Sequence, residues 1–174
     1  STPFARAFVD FKTNQPAAMR YFFSAEGFYK KMFLKTQYTR DIVEYNKQHG
    51  SHYKSYRDVH LSRSLPGGSD LEKQDWKDFA RNTLNLLWLR ADPEARAVYH
   101  RYLKAKYGDM ERLNKNYGTL YRSFSQLPLI EEAPGEGLAL SDWESLITGW
   151  REPGSKLLHI IPATMLRIHS VDFL

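Results

Sequence analysis

The sequence predicts an all-α protein: two tandem related helical modules with long irregular connections and little or no strand. Three observations carry this expectation. The chain repeats itself, apolar side chains recur at helical spacing, and the same start and stop residues punctuate both copies. With one gap, Leu34, Lys35, Tyr38, Asn46, Gly50, Tyr53, Ser55, Leu61, Pro66 and Gly67 align on Leu103, Lys104, Tyr107, Asn114, Gly118, Tyr121, Ser123, Leu129, Pro134 and Gly135. One residue of slippage later, Asp75-Trp76 meets Asp142-Trp143. The spacing from Gly50 to Gly118 is 68 residues, too long for a common solenoid unit and suited to a duplicated helical module. The expected organisation is one helical domain over 1–174, with the repeat at 28–90 and 97–150.

Each element follows from local chemistry. Met19, Phe22, Phe23, Phe28, Met32 and Phe33 fall at helical spacing over 16–37, with Pro16 suited to a first turn and Gly27 a point of division. A short helix over about 40–48 stops at Gly50. The polar stretch 50–72, with Pro66-Gly67-Gly68, reads as an irregular connection. From Asp75 to Arg90, the residues Trp76, Phe79, Ala80, Thr83, Leu84, Leu87 and Trp88 form one apolar stripe. Asp92 as cap, Pro93 at the first position and Gly108 past the end frame the next helix, with Val98, Tyr99, Tyr102 and Leu103 inward. Asp109 caps a short helix over 110–116, stopped by Gly118. A second irregular stretch covers 119–140, then Ser141 and Glu144 form a capping-box pattern before Leu146-Ile147. Leu157–Pro162 reads as extended, and 163–174 as the start of another helix and of a third copy.

Composition bounds what this architecture can do. Hydrophobic content of 42% and charged content of 26% suffice for a buried core in 174 residues. Aromatic content of 14% points first to ring-rich packing. The net charge of +5 comes from basic residues interleaved with acidic ones, the pattern of a soluble surface rather than of a nucleic-acid footprint. With no cysteine, disulfides, thiolate metal sites and a cysteine nucleophile are excluded. No run approaches a membrane span. The chain starts at Ser1-Thr2-Pro3 and stops inside an apolar pattern, so it reads as an excised piece of a larger protein.

The stretch from Tyr102 to Thr119 carries Lys106-Tyr107-Gly108, Leu113-Asn114 and Tyr117-Gly118-Thr119. It resembles a helical passage of the family 42 β-galactosidases and related bacterial glycoside hydrolases, over some 25 residues. The resemblance implies a carbohydrate-handling setting, outside the cytoplasm. In that family an Asn-Glu pair bearing the general acid precedes the passage. Here the upstream stretch Leu86–Glu94 has no such pair, and the alternating strands and helices of a barrel are missing, so no catalytic residue carries over.

Glu131, Glu132 and Glu136, or Asp70, Glu72 and Asp75, could supply a pair of carboxylates for glycoside hydrolysis, but the glutamates do not match between copies. His49, His52 and His60 cluster in the first copy, where the second has Tyr117, Leu120 and Pro128, so turn or surface histidines are expected rather than a metal site. No phosphate-binding or nucleophile-elbow motif occurs. The candidate ligand-binding residues are aromatic: Tyr53, Tyr56, Trp76, Tyr117, Tyr121 and Trp143, with Lys54, Arg57 and Arg122 interleaved. The expected role is a non-catalytic interaction module linked to carbohydrate use or transport. It needs no cofactor or metal, its partners are other domains of the parent protein, and an oligosaccharide is its candidate ligand. The alternatives are a glycoside hydrolase fragment lacking its catalytic residues and a module for single-stranded nucleic acid.

Overall fold

The computed structural model describes residues 2–14 and 24–169 of the chain. They form two compact units, one up to Leu61 and one over Ser62–His169. The expected apolar positions Met19, Phe22 and Phe23, with Pro16, lie outside the described residues.

The first unit holds α1 (Pro3–Thr13), α2 (Ala25–Phe28), α3 (Leu34–Gln37) and α4 (Ile42–His49). Ser24 caps α2, its hydroxyl accepting from the Gly27 N–H at 2.9 Å. Gly27 therefore lies inside the first turn and does not divide the helix. The irregularity comes later, where Tyr29–Phe33 widen into a π-helical turn that runs straight into α3. Asp41 caps α4 by accepting from the Val43 N–H at 3.1 Å. Leu34, Ile42, Tyr45, Tyr56, Val59 and Leu61 form the buried interior.

The second unit holds α5 (Asp70–Asn82), β1 (Leu89–Ala91), α6 (Arg96–Tyr107), α7 (Met110–Tyr117), α8 (Gly137–Thr148), β2 (Trp150–Arg151), β3 (Leu158–His159) and β4 (Leu166–Ile168). The all-α expectation is therefore corrected. β1 pairs with β4 and β2 with β3, giving two small antiparallel sheets beside the helices. The stripe expected to run as helix to Arg90 ends at Asn82. Asn85 accepts from the Leu87 N–H at 3.0 Å and starts a 3₁₀ turn over Leu86–Trp88, after which the chain extends. Asparagine and threonine compete locally for backbone bonds, and that breaks a helix whose apolar spacing still fits. Leu89 and Ala91 are buried while Arg90 points out, a period of two too short to read as a strand. Residues 163–168 form a 3₁₀ turn and β4, not a helix.

Two further helix starts differ from expectation. Asp92 makes no cap bond; its carboxylate pairs with Arg167 at 2.7 Å, and Pro93–Ala95 form a 3₁₀ turn before α6. α8 begins at Gly137, four residues before Ser141, because Leu138, Ala139 and Leu140 are good helix formers that extend it backwards.

The turns after α4 and α7 are built alike. Gly50 and Gly118 take φ of 61° and 63°, in the left-handed region that favours glycine. Asn46 Oδ1 accepts from the Tyr53 N–H at 3.0 Å and the Ser51 hydroxyl at 2.8 Å, while its amide donates to Tyr53 O at 2.8 Å. Asn114 repeats the set with Tyr121 N–H at 3.0 Å, the Thr119 hydroxyl at 2.8 Å and Tyr121 O at 2.8 Å. One side chain thus closes the whole turn.

Two tryptophans pin connections to helices. Trp76 on α5 donates to Ser62 O at 2.9 Å, and Trp143 on α8 donates to Ile130 O at 2.8 Å. Arg81 ties α5 to the far end of the unit, donating to Ile147 O at 2.6 Å and Ile161 O at 2.7 Å. The last described strand returns to the first residues of the unit, with Ile168 N–H on Arg63 O at 2.8 Å.

Replacing Asn114 by alanine deletes three hydrogen bonds and leaves Tyr121 backbone groups unpaired. The expected loss is about 2 kcal/mol, read as a lower urea midpoint for the second unit. An unchanged midpoint would show that water serves the turn as well as the side chain does.

Candidate functional site: a tyrosine pocket on a buried aspartate

Asp142 sits on α8 beside Trp143 and is fully buried. A lone carboxylate there would cost several kcal/mol unless supplied with donors. Two helices supply them. From α6 come the Tyr102 hydroxyl at 3.0 Å, the Tyr107 hydroxyl at 2.6 Å and the Lys106 ammonium; from α7 comes the Tyr117 hydroxyl. Lys106 also donates to the Tyr102 hydroxyl at 3.3 Å and lies over the rings of Tyr102 and Tyr107. Tyr102 and Lys106 are four residues apart on one face of α6, and Tyr107 follows Lys106, so the helix delivers all three to one point.

The donors are held in their protonated form. Burial comes first in raising the Tyr102 and Tyr107 hydroxyls well above the ordinary phenol range; the Asp142 charge and hydrogen bond add to it. Tyr117 is raised in the same way, by burial and then by its bond to Asp142. Tyr99, one turn earlier on α6, is pushed up to about 12, by burial and then by the Asp142 charge, against an opposing hydrogen bond from Tyr117.

Tyr99 and Tyr117 also face a cavity of about 370 Å³. Asn116, Thr119, Tyr121 and Glu136 add polar groups to its wall, and Leu127, Pro128, Ile130 and Leu138 add apolar surface. The buried network is thus the floor that fixes two of the cavity's rings. A pocket of this size, with ring faces, an amide, a hydroxyl and one carboxylate, suits a small polyhydroxylated ligand.

The expected ligand-binding residues divide sharply. Tyr117 and Tyr121 line this cavity. Trp76 and Trp143 are 1% exposed and Tyr56 is 5% exposed, so their faces are packed and offer no stacking surface. The Tyr56 hydroxyl donates to Thr39 O at 2.9 Å. Tyr53 is exposed, belongs to the first unit and is not among the residues that line this cavity. The candidate glutamates do not gather here: Glu131 pairs with Arg90 at 2.5 Å, and Glu136 is the one carboxylate among the described lining residues. His49 bonds the Tyr38 hydroxyl at 2.8 Å and stacks on Tyr45, while His60 meets Glu26 at 3.3 Å. No group of three or more histidines and carboxylates able to hold a metal occurs among the described residues.

The buried network itself was not anticipated. Its signal was present: an aspartate inside an apolar helical stripe, facing a helix whose Tyr99, Tyr102, Lys106 and Tyr107 share one face. Comparison with family models, curated proteins and solved structures finds no match to this chain. No helix among the described residues is long and apolar enough to cross a membrane.

The raised tyrosines set an alkaline limit. Unfolded phenols ionise near about 10, and the native ones only higher. Their contribution to stability is complete below that pH and is lost as pH rises through the native values, about 12 for Tyr99. Absorbance at 295 nm should show these four tyrosines ionising together with loss of near-ultraviolet circular dichroism. Ionisation of all tyrosines near pH 10 with the fold intact would contradict this.

Proposed function

We propose that this chain is a non-catalytic, carbohydrate-associated binding module whose second unit holds a small neutral sugar in the tyrosine pocket. The observation that carries the reading is the pocket's inventory. Rings of Tyr117 and Tyr121 stand beside Asn116 and Thr119, which pairs apolar faces with hydrogen-bonding groups as a sugar does. Hydrolysis of a glycosidic bond commonly needs two carboxyl groups flanking it, and Glu136 is the single carboxylate among the described lining residues. Asp142 lies beneath the wall with its oxygens occupied by three hydroxyls and an ammonium, so it positions rings rather than reacting. The resemblance of Tyr102–Thr119 to a passage of sugar-handling enzymes agrees with this reading, and other domains of the same protein are the natural partners of such a module.

Calorimetric titration with neutral mono- and disaccharides tests it. Binding is expected, and Tyr121→Ala or Asn116→Ala should weaken it about tenfold without unfolding the unit. Lack of heat at millimolar sugar would overturn the ligand class, and release of hydrolysed product would overturn the non-catalytic part.

A further inference from the structure

The first unit carries a second cavity, of about 600 Å³, with a different chemistry. Lys30, Lys31, Lys35, Arg40, Lys54 and Arg57 line it, against a single carboxylate, Asp41. Asp41 is occupied as the cap of α4. Lys30 is paired with Glu26. The side chains of Lys31, Lys35, Arg40, Lys54 and Arg57 make no ion pair among the described residues; Lys35 lies over the Tyr56 ring at 5.8 Å. Lys31 and Lys35 are four apart along one helical face, where like charges repel. A fold gains nothing from this crowding by itself, so an anion that neutralises it is the natural occupant.

The frame around these cations is rigid. Lys30 donates to Arg57 O at 3.0 Å, tying the π-helical turn to the 3₁₀ turn over Tyr56–Asp58. Asp58 accepts from the Lys54 and Ser55 N–H groups at 3.1 and 3.0 Å, and Ser55 accepts from the Arg57 N–H at 3.2 Å. Lys54 and Arg57 therefore project from a closed loop. π-helical turns are rare and frequent at functional sites, and this one presents Lys30 and Lys31. In the sequence alignment of the copies, Lys30, Lys31 and Arg57 stand where the second has Tyr99, His100 and Ser125, so the charge belongs to this copy and not to the shared frame.

We infer that this groove binds an acidic oligosaccharide, a short glycan bearing carboxylate or sulfate groups. The volume exceeds what one free phosphate fills and suits a few sugar residues with spaced charges. Nucleic acid is disfavoured by the lining. Its single ring, Tyr56, is buried, capped by Lys35 and tied through its hydroxyl to Thr39, so no free face is offered to a base. The two linings share no residue, so this site stands whether or not the tyrosine pocket takes a sugar.

The test is titration of the full chain with trigalacturonate and with a heparin-derived tetrasaccharide. Maltotriose, oligothymidylate and phosphatidylserine vesicles serve as comparisons. Binding of an acidic glycan is expected, weakening as salt rises, and any binding of maltotriose should be the same in the K31Q/R40Q/K54Q variant as in the unsubstituted chain. That variant should lose about tenfold or more in acidic-glycan affinity while keeping its circular dichroism and melting temperature. The control R96Q/R101Q/K115Q removes the same charge from exposed positions of the second unit and should leave the affinity unchanged. Equal weakening by the control would reduce the effect to net charge and overturn the site. Tighter binding of oligothymidylate or of vesicles than of either glycan would overturn the ligand class. The Tyr121→Ala substitution should leave acidic-glycan binding intact, which separates failure here from failure of the sugar pocket.

Discussion

Three helices of the second unit, α6, α7 and α8, meet at the buried carboxylate of Asp142. The Asp142 carboxylate is out of water, and its desolvation can be offset only by donors brought from elsewhere in the chain. Those donors come from α6 and α7, so the aspartate fixes how three helices meet. Four donors must converge on the two oxygens of one carboxylate.

The constraint extends outward. Tyr99 and Tyr117 belong both to the charged floor and to the wall of the cavity, so ring orientation there follows from the core. The first unit uses its polar groups differently. Its tyrosines and His49 pack on each other, as in the stacking of Tyr45 on His49 at 4.0 Å, and its charges gather at the surface around Lys31, Arg40 and Lys54.

Much of the helical frame was legible because it is written locally. Asp109, Gly50 and Gly118 act within a few residues of themselves, and their helices end close to the expected places. β1 and β4 were illegible because each has three residues and finds its partner across most of the unit. The aromatic repeat was legible as a pattern and misleading as a site. The tryptophans recur because each must donate to a distant carbonyl, and that requirement buries them. Tyr117 and Tyr121, which line the tyrosine pocket, carry the same sequence signal as Tyr53 and Tyr56, which do not. Only the packing separates them.

The pairing of β1 with β4 bears on how this unit could travel. Leu89-Arg90 and Leu166-Arg167 lie antiparallel with the two arginines opposite each other, and beside them Ile168 reaches back to Arg63. The chain therefore goes into the second unit and comes out of it one hydrogen bond apart. A segment whose ends lie this close meets the geometric condition for insertion into another chain, or for being joined end to end and reopened elsewhere.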